Sequence, residues 1–419
     1  MKIAVIGSGG REHAIAWKLA ESIGWEQISV IPGNAGIPKS IPVPLDDFAQ
    51  LEAFCIQEQI ELIVVGPELP LSQGIVDYFR KTKIQILGPT QAAAHLEGSK
   101  IFAKEFMRRH GVATSDFEVF DHVGTARPYI HSKNGDCVIK YDGLAAGKGV
   151  FVCNNLQEAE LALAEFKATY GEKANFIVED KIVGDEISII GLTDGKTMRL
   201  LPPAQDHKQV FDNDLGPNTG GMGAFCPAPF YNEKLAEEID RLIIQPTLRG
   251  IQKENLDYKG FLYFGVMMDE KGPKLLEYNA RLGDPETEVL LPALNANLVE
   301  AILATLDGSL QQVHWDWHPG YFVDVVLTSG GYPKSFSKGF AIKGLEDVDT
   351  DTLLFYAGVK SNGNELLTDG GRVINVVCAG ASLDEAIENA YRNCNKICFE
   401  QMHYRKDIGK RILKHSYSS

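Results

Sequence analysis

Lys140 to Val150 reads KYDGLAAGKGV. It carries the glycines and lysine of a phosphate-binding loop, and the kind of loop it is decides the fold. A Walker A loop needs four residues between its glycine and Gly-Lys-Ser/Thr. Here three residues separate Gly143 from Gly147, and Gly149 stands where a hydroxyl would hold Mg²⁺. The loop also lies between two strands, CVIK and GVFV, with no helix behind it. A P-loop NTPase element is therefore excluded. A glycine-rich turn joining antiparallel strands can still fold over phosphates as a flap, because backbone N–H groups approach closely where no Cβ intervenes. Lys140, at the end of the first strand, points its ammonium at the same oxygens. Taken alone, such a turn can equally be a mobile hairpin with no ligand.

Upstream, residues 1–90 alternate short apolar strands (KIAVIG, ISVIPG, ELIVVGPE, IQILGPT) with amphipathic helices (REHAIAWKLAES, DFAQLEAFCIQEQ, LSQGIVDYFRKT). Alternating βαβα predicts a parallel, Rossmann-like sheet with helices on both faces. Its strands run into GSGG, PGNAG and GPE, and ligands sit at the carboxyl ends of such strands. GSGGREH, Gly7 to His13, opens a helix, a context suited to anions. Glu12 occupies the third glycine position of a dinucleotide fingerprint, and PGNAG stands where the ribose-binding acid would be. A small phosphate monoester with Arg11 supplying charge fits better than NAD.

Downstream the pattern changes. KIFAKEFMRRHG is a helix with a glycine stop, and LQEAELALAEFKATYG is another. ANFIVEDKIVGDEISIIGLTDGKTMRLLP reads as antiparallel strands with TDGK as a hairpin turn, and GFLYFGVMMDEKGPKLLEYNARLGD as a second hairpin turning at DEKGP. Strand alternation sets Glu277, Asn279 and Arg281 on one face, and Leu276, Tyr278 and Leu282 mainly on the other. A carboxylate and an amide oxygen two residues apart suit a hard cation held between protein and nucleotide phosphates. Arg281 could stabilise charge developing during transfer. The bland alternative is a solvated strand face. Glu179 at a strand end and Glu186 beyond it could accept hydrogen bonds from ribose hydroxyls. Gln205 to Phe225 is polar and irregular, with PNTGGMGA as a second glycine loop. His207, beside Asp206 and Lys208, is at best a substrate-positioning group, since no serine or cysteine nucleophile motif accompanies it. After residue 320, YFVDVVLTSGG, TLLFYAGVK and RVINVVCAGA are strands and SLDEAIENAYRNCNKI a helix.

The fold class is thus α/β and α+β multidomain. The expected units are an N-terminal α/β substrate-binding domain (1–100), a central domain (101–320) with its flap at about 118–188, and a small C-terminal α+β domain (321–419). The 419 residues carry 56 acidic and 41 basic side chains, net charge −15. That balance excludes a broad electrostatic footprint for nucleic acid or anionic membrane, so bound phosphate must be met by a local cluster. The seven cysteines form no CxxC pair and read as free thiols. No signal segment or apolar run of membrane-spanning length is present, and a cytoplasmic monomer is expected.

Together, GSGGREH, PGNAG, GPE, SK-FAK, K-DGLAAGKGV, QDHK, GPNTGGMGA and E-NAR-GDPE resemble the phosphoribosylamine–glycine ligase family of the ATP-grasp superfamily, from residue 2 to about 295. The resemblance implies that ATP phosphorylates glycine and that the amine of 5-phosphoribosylamine attacks the glycyl phosphate. Another ATP-grasp carboxylate–amine ligase is the alternative. It further implies Lys104 and Lys140 on the ATP phosphates. Gly143, Gly147, Lys148 and Gly149 would form the flap, Glu179, Asp180 and Ile182 the adenine-facing hinge, and Glu186 the ribose acceptor. Glu277 and Asn279 would be ligands of Mg²⁺ or Mn²⁺, with Arg281 facing the acyl phosphate. Gly9, Gly10, Arg11, Asn34 and Glu68 would line the phosphoribosylamine pocket, with Asp206 and Asp284 orienting substrates. The chain departs from the family pattern at Gln209, where arginine often follows QDHK, at Asn213, where glycine is usual, and at Tyr141, where alanine is usual. GFLYFGVMM also offers no metal carboxylate before Asp269.

Overall fold

An apolar strand with no polar alternation needs cover on both faces, and β1 (Ile3–Gly7) receives it. Ile3 and Val5 pack with Ala14, Ile15 and Leu19 of the helix Gly10–Ile23. Ala4 and Ile6 pack with Leu51 and Cys55 of the helix Phe48–Gln57. The computed structural model describes residues 1–144 and 149–410. In it β1, β2 (Ile28–Pro32), β3 (Leu62–Val65) and β4 (Gln85–Leu87) form a parallel sheet in the order β2-β1-β3-β4. The helix expected from LSQGIVDYFRKT is instead two short ones, Glu68–Ser72 and Ile75–Phe79. Gly74 between them adopts φ 84°, a left-handed turn that breaks the run.

A second sheet holds β5 (Phe117–Phe120), β6 (Asp136–Tyr141), β7 (Val150–Asn154) and β8 (Phe176–Asp180), antiparallel in the order β5-β8-β6-β7. The helix Leu156–Tyr170 covers one face, packing Leu163 and Phe166 against Cys137, Ile139 and Val178. The chain then leaves this sheet. β9 (Asp185–Thr193) and β10 (Met198–Leu200) belong to a third sheet, so the expected run of antiparallel strands changes sheet between Asp180 and Asp185.

The stretch expected to be irregular holds β11 (Gln205–Asp206), the hairpin of β12 (Gln209–Phe211) with β13 (Leu215–Asn218), and β14 (Gly223–Cys226). Asn213 in that hairpin has φ 59°, which asparagine tolerates better than most residues. β15 (Gly260–Asp269) and β16 (Gly272–Asn279) complete the third sheet in the order β10-β9-β15-β16.

TLLFYAGVK divides between two sheets. β17 (Tyr321–Ser329) and β18 (Leu353–Tyr356) join the last large sheet, whereas β19 (Val359–Ser361) forms its own hairpin with β20 (Leu366–Thr368). With β21 (Arg372–Gly380) and β22 (Met402–His403), the order is β11-β14-β17-β21-β18, and β22 pairs with β17. The helix Leu383–Cys394 packs on it. Because β14 sits beside β17, this sheet brings C-terminal side chains to the middle of the molecule.

Candidate functional site

The helix Lys100–His110 starts at Ser99, whose hydroxyl caps Phe102 N at 3.0 Å. Its inner face places Lys104 between the second and third sheets. Lys104 Nζ lies 2.5 Å from one Glu179 oxygen and donates to Thr114 Oγ1 at 2.6 Å and Ser115 Oγ at 2.9 Å. Lys140, next to last on β6, pairs with the other Glu179 oxygen. Burial pushes the Glu179 carboxyl up, but Lys140 and Lys104 outweigh it and hold the group at about 2. Burial lowers Lys104 to about 8 despite Glu179, whereas Glu179 and Glu277 overcome burial and raise Lys140. Two ammonium groups share one carboxylate, so this corner has positive charge to spare. It is the local cluster that an acidic chain needs to meet phosphate.

The pocket above this corner is lined by Lys100, Lys104, Lys140, Ile177, Leu276 and Glu277, among others. The expected face assignment of β16 is corrected at Leu276. The pairing with β15 shifts register between Gly265, opposite Glu277, and Val266, opposite Leu275. The resulting bulge leaves Leu276 half-exposed in the pocket beside Glu277, while Leu275 and Tyr278 enter the core. Glu277 accepts from Lys100 at 3.2 Å. Burial opposes its ionisation, but Lys100, Lys208 and Lys140 together hold its carboxyl far below the usual range. Asn279 Oδ1 lies 3.3 Å from Arg281 Nη2. Among the described residues no group of three or more His, Cys, Asp or Glu is arranged to hold a metal. An ionised carboxylate and an amide oxygen, two residues apart on a strand, nonetheless fit a hard cation that takes its remaining oxygens from a bound phosphate chain.

Arg281 joins this pocket to the ends of the parallel strands. It meets Glu97 at 2.9 Å and Glu68 at 3.6 Å and donates to Leu282 O at 3.2 Å. Glu97 was not legible as a site residue: it is an isolated glutamate ending the helix Gln91–Gly98. Here it is buried, its other oxygen accepts from Ala280 N at 2.7 Å, and burial raises its carboxyl despite Arg281.

Beside it lies the N-terminal glycine loop. Arg11 is buried, donating to Glu12 at 2.6 Å and Leu282 O at 3.1 Å, and Glu12 also takes Gly9 N at 2.7 Å. Burial raises Glu68, but Arg281 and Arg11 reverse that and leave it ionised below its ordinary value. A Cβ on Gly9 would lie 3.5 Å from Asp284 Oδ2, and one on Gly10 would sit 2.2 Å from Asn375 Nδ2 and 2.6 Å from Glu288 Oε1. Arg372, on β21, reaches Asp284 Oδ1 at 3.1 Å and Gly220 O at 2.6 Å. No motif flags this arginine, which the sheet imports from the C-terminal part of the chain. Asn34 donates to Ser8 O at 2.8 Å and Tyr356 O at 2.9 Å, shaping the loop. Asp206 is raised by burial and by Glu286, and its Oδ1 is buried without a hydrogen-bond partner.

The other expected residues are placed as follows. Glu186 is ion-paired with Lys208, Asp180 with Lys133 at 2.7 Å, and Ile182 lies half-buried in the crossing from β8 to β9. His207 lies in the interior. Its ring is buried, held at about 4 by burial and by Arg405, and it accepts Gly409 N at 3.3 Å. The ring is thus neutral, and its Nδ1 is buried without a hydrogen-bond partner. Gly143 and Gly149 flank the turn, and Gly147 and Lys148 lie outside the described residues.

Comparison with known proteins bears on the whole chain. Residues 1–97 match the family described as phosphoribosylglycinamide synthetase, N domain. Residues 98–287 match its ATP-grasp (A) domain, and 322–411 its C domain. A phosphoribosylamine–glycine ligase of Vibrio vulnificus is 43% identical over 99% of both chains. The crystal structure of phosphoribosylamine–glycine ligase from Thermotoga maritima superposes with a TM-score of 0.84 at 35% identity, covering 97% of this chain and 100% of that one. The biotin carboxylase domain of Hydrogenobacter thermophilus 2-oxoglutarate carboxylase, in complex with MgADP, shares the fold at 16% identity. Its TM-score is 0.70, over 96% of this chain and 91% of that one.

Proposed function

The chain belongs to the phosphoribosylglycinamide synthetase family, and on that premise we propose how its residues divide the labour of the family's reaction. The enzyme is an ATP-dependent ligase of purine biosynthesis: it joins glycine to 5-phosphoribosylamine and releases glycinamide ribonucleotide, ADP and phosphate. The observation that carries the residue assignment is the Lys104–Glu179–Lys140 clasp, because it supplies excess positive charge in a cleft of an acidic protein.

ATP enters between the second and third sheets with its phosphates toward Lys104 and Lys140. The crossing at Asp180 and Ile182 faces the adenine, Glu186 meets the ribose, and Gly143 and Gly149 approach the phosphates. Glu277 and Asn279 would hold Mg²⁺ or Mn²⁺, which when bound would neutralise phosphate charge and fix the transferring group. Arg281, oriented by Glu97, faces the acyl phosphate and stabilises charge on the transferring phosphoryl group. Glycine's carboxylate takes the terminal phosphoryl group. The amine then attacks the carbonyl carbon, and phosphate leaves with the electron pair. No protein nucleophile is required; positioning, charge neutralisation and exclusion of water carry the rate, because an acyl phosphate hydrolyses. The amine substrate lies along Gly9, Gly10, Arg11, Asn34 and Glu68. Asp206 and Asp284 orient the substrates, and Arg372 steadies Asp284.

The same proposal takes the chain as three units, 1–100, 101–320 and 321–419, working as a cytoplasmic monomer. No described helix is long and apolar enough to cross a membrane. The test is ADP release. Release should require glycine and 5-phosphoribosylamine together, and a faster release with a different carboxylate–amine pair would reassign the substrates.

A further inference from the structure

Cys137 and Cys153 face each other in register on β6 and β7, the two arms that lead into the glycine turn. Among the described residues they are the only cysteines paired across strands. Tyr141 N donates to Gly149 O at 2.8 Å, so residues 141 and 149 form a hydrogen-bonded pair. Alternation along the ladder makes 137 and 153 the same kind of pair, whose Cα atoms stand about 5.5 Å apart. Disulfides bridge Cα separations of roughly 4.4–6.8 Å. Cβ atoms in such a pair are about 4.5–5.5 Å apart, wider than the roughly 3.5–4.5 Å a disulfide prefers. A bridge here would draw the arms together and remain easily reduced.

Both thiols lie on the face packed by Leu163 and Phe166, away from Lys140. Both are fully buried, but on a strand pair at the edge of their sheet. β7 is the outer strand of its sheet, held by β6 alone, and Val152 next to Cys153 is 54% exposed. Local opening of an edge strand is the least demanding motion in a sheet.

We propose that Cys137 and Cys153 form a dithiol site that a small disulfide oxidises to an intramolecular bridge across the arms of the glycine hairpin, slowing turnover by restraining the hairpin. Cys153 thiolate attacks the small disulfide, forming a mixed disulfide and expelling one thiolate. Cys137 thiolate then attacks Cys153 sulfur, forming the protein disulfide and expelling the second. Two protein thiols lose two electrons and two protons, and one disulfide is reduced to two thiols. The neighbouring thiol lowers Cys153 and raises Cys137, which favours Cys153 as the first nucleophile.

The test uses the full chain carrying Cys398→Ser, which removes the exposed thiol, treated with oxidised glutathione. Peptide mapping without reduction should find one cross-link, Cys137 to Cys153. Turnover should fall at least threefold and return with dithiothreitol. Cys153→Ala, or Cys137→Val should the first fold poorly, should keep its turnover through the same treatment. Glutathione adducts without the cross-link would overturn the proposal, as would a cross-link that leaves turnover unchanged. The mapping result stands independently of which substrates the enzyme joins.

Discussion

Replacing Glu179 by glutamine keeps the shape of the clasp and removes its charge. The carboxylate is almost wholly buried between Lys104 and Lys140. Its fall from an ordinary 4.5 to about 2 corresponds to about 3 kcal/mol favouring the ionised form. Breaking one side of a buried pair costs about 3–5 kcal/mol, so the two routes agree on a loss near 3 kcal/mol at neutral pH. The sign follows from the direction of each shift. Stability from Glu179 is complete above 4.5 and disappears as pH falls through about 2. Lys104 moves the other way: burial lowers it to about 8 rather than 10.5, so phosphate binding in the wild type should weaken above about 8. Without Glu179, only the more distant Glu277 opposes burial at Lys104, and that weakening should begin at lower pH. Urea unfolding at neutral pH, together with KM for ATP from neutral to mildly alkaline pH, measures both effects. A stability loss below about 1 kcal/mol with an unmoved KM profile would refute the clasp as an electrostatic unit.

Glu277→Ala should cut turnover by more than about 100-fold, since even groups behind a metal ligand cost 10–100-fold; circular dichroism should show the fold intact, because the side chain is half-exposed. Glu97→Gln should lower kcat about tenfold or more while leaving KM for ATP nearly unchanged, because it loosens Arg281 without touching the lysines; an equal rise in KM would remove Glu97 from that role. Gly10→Ala places a methyl 2.2 Å from Asn375 Nδ2 and should lower stability by about 1–3 kcal/mol, read as a drop in melting temperature.

The parallel sheet was legible because doubly covered strands write unbroken apolar runs, as in Ile3 to Ile6, and helices between them write a clear period. The hairpin turns at TDGK and DEKGP were legible because turn chemistry is local. Sheet membership was not: β8 and β9 are neighbours in sequence, yet their ladders run to β6 and to β15. Nor was the bulge at Leu276, which depends on the register of a partner strand. Glu97 and Arg372 escaped for the same reason. Each is an ordinary surface-type residue until tertiary contacts set it against Arg281 or Asp284. The burial of His207 escaped too, since a polar neighbourhood in sequence concealed a buried ring.

The assignment of these residues turns on where the triphosphate lies. A crystal structure with a non-hydrolysable ATP analogue and a divalent ion should place the terminal phosphates against Lys104 and Lys140 and the ion on Glu277 and Asn279. Phosphates anchored away from both lysines, or an ion held without Glu277, would contradict it.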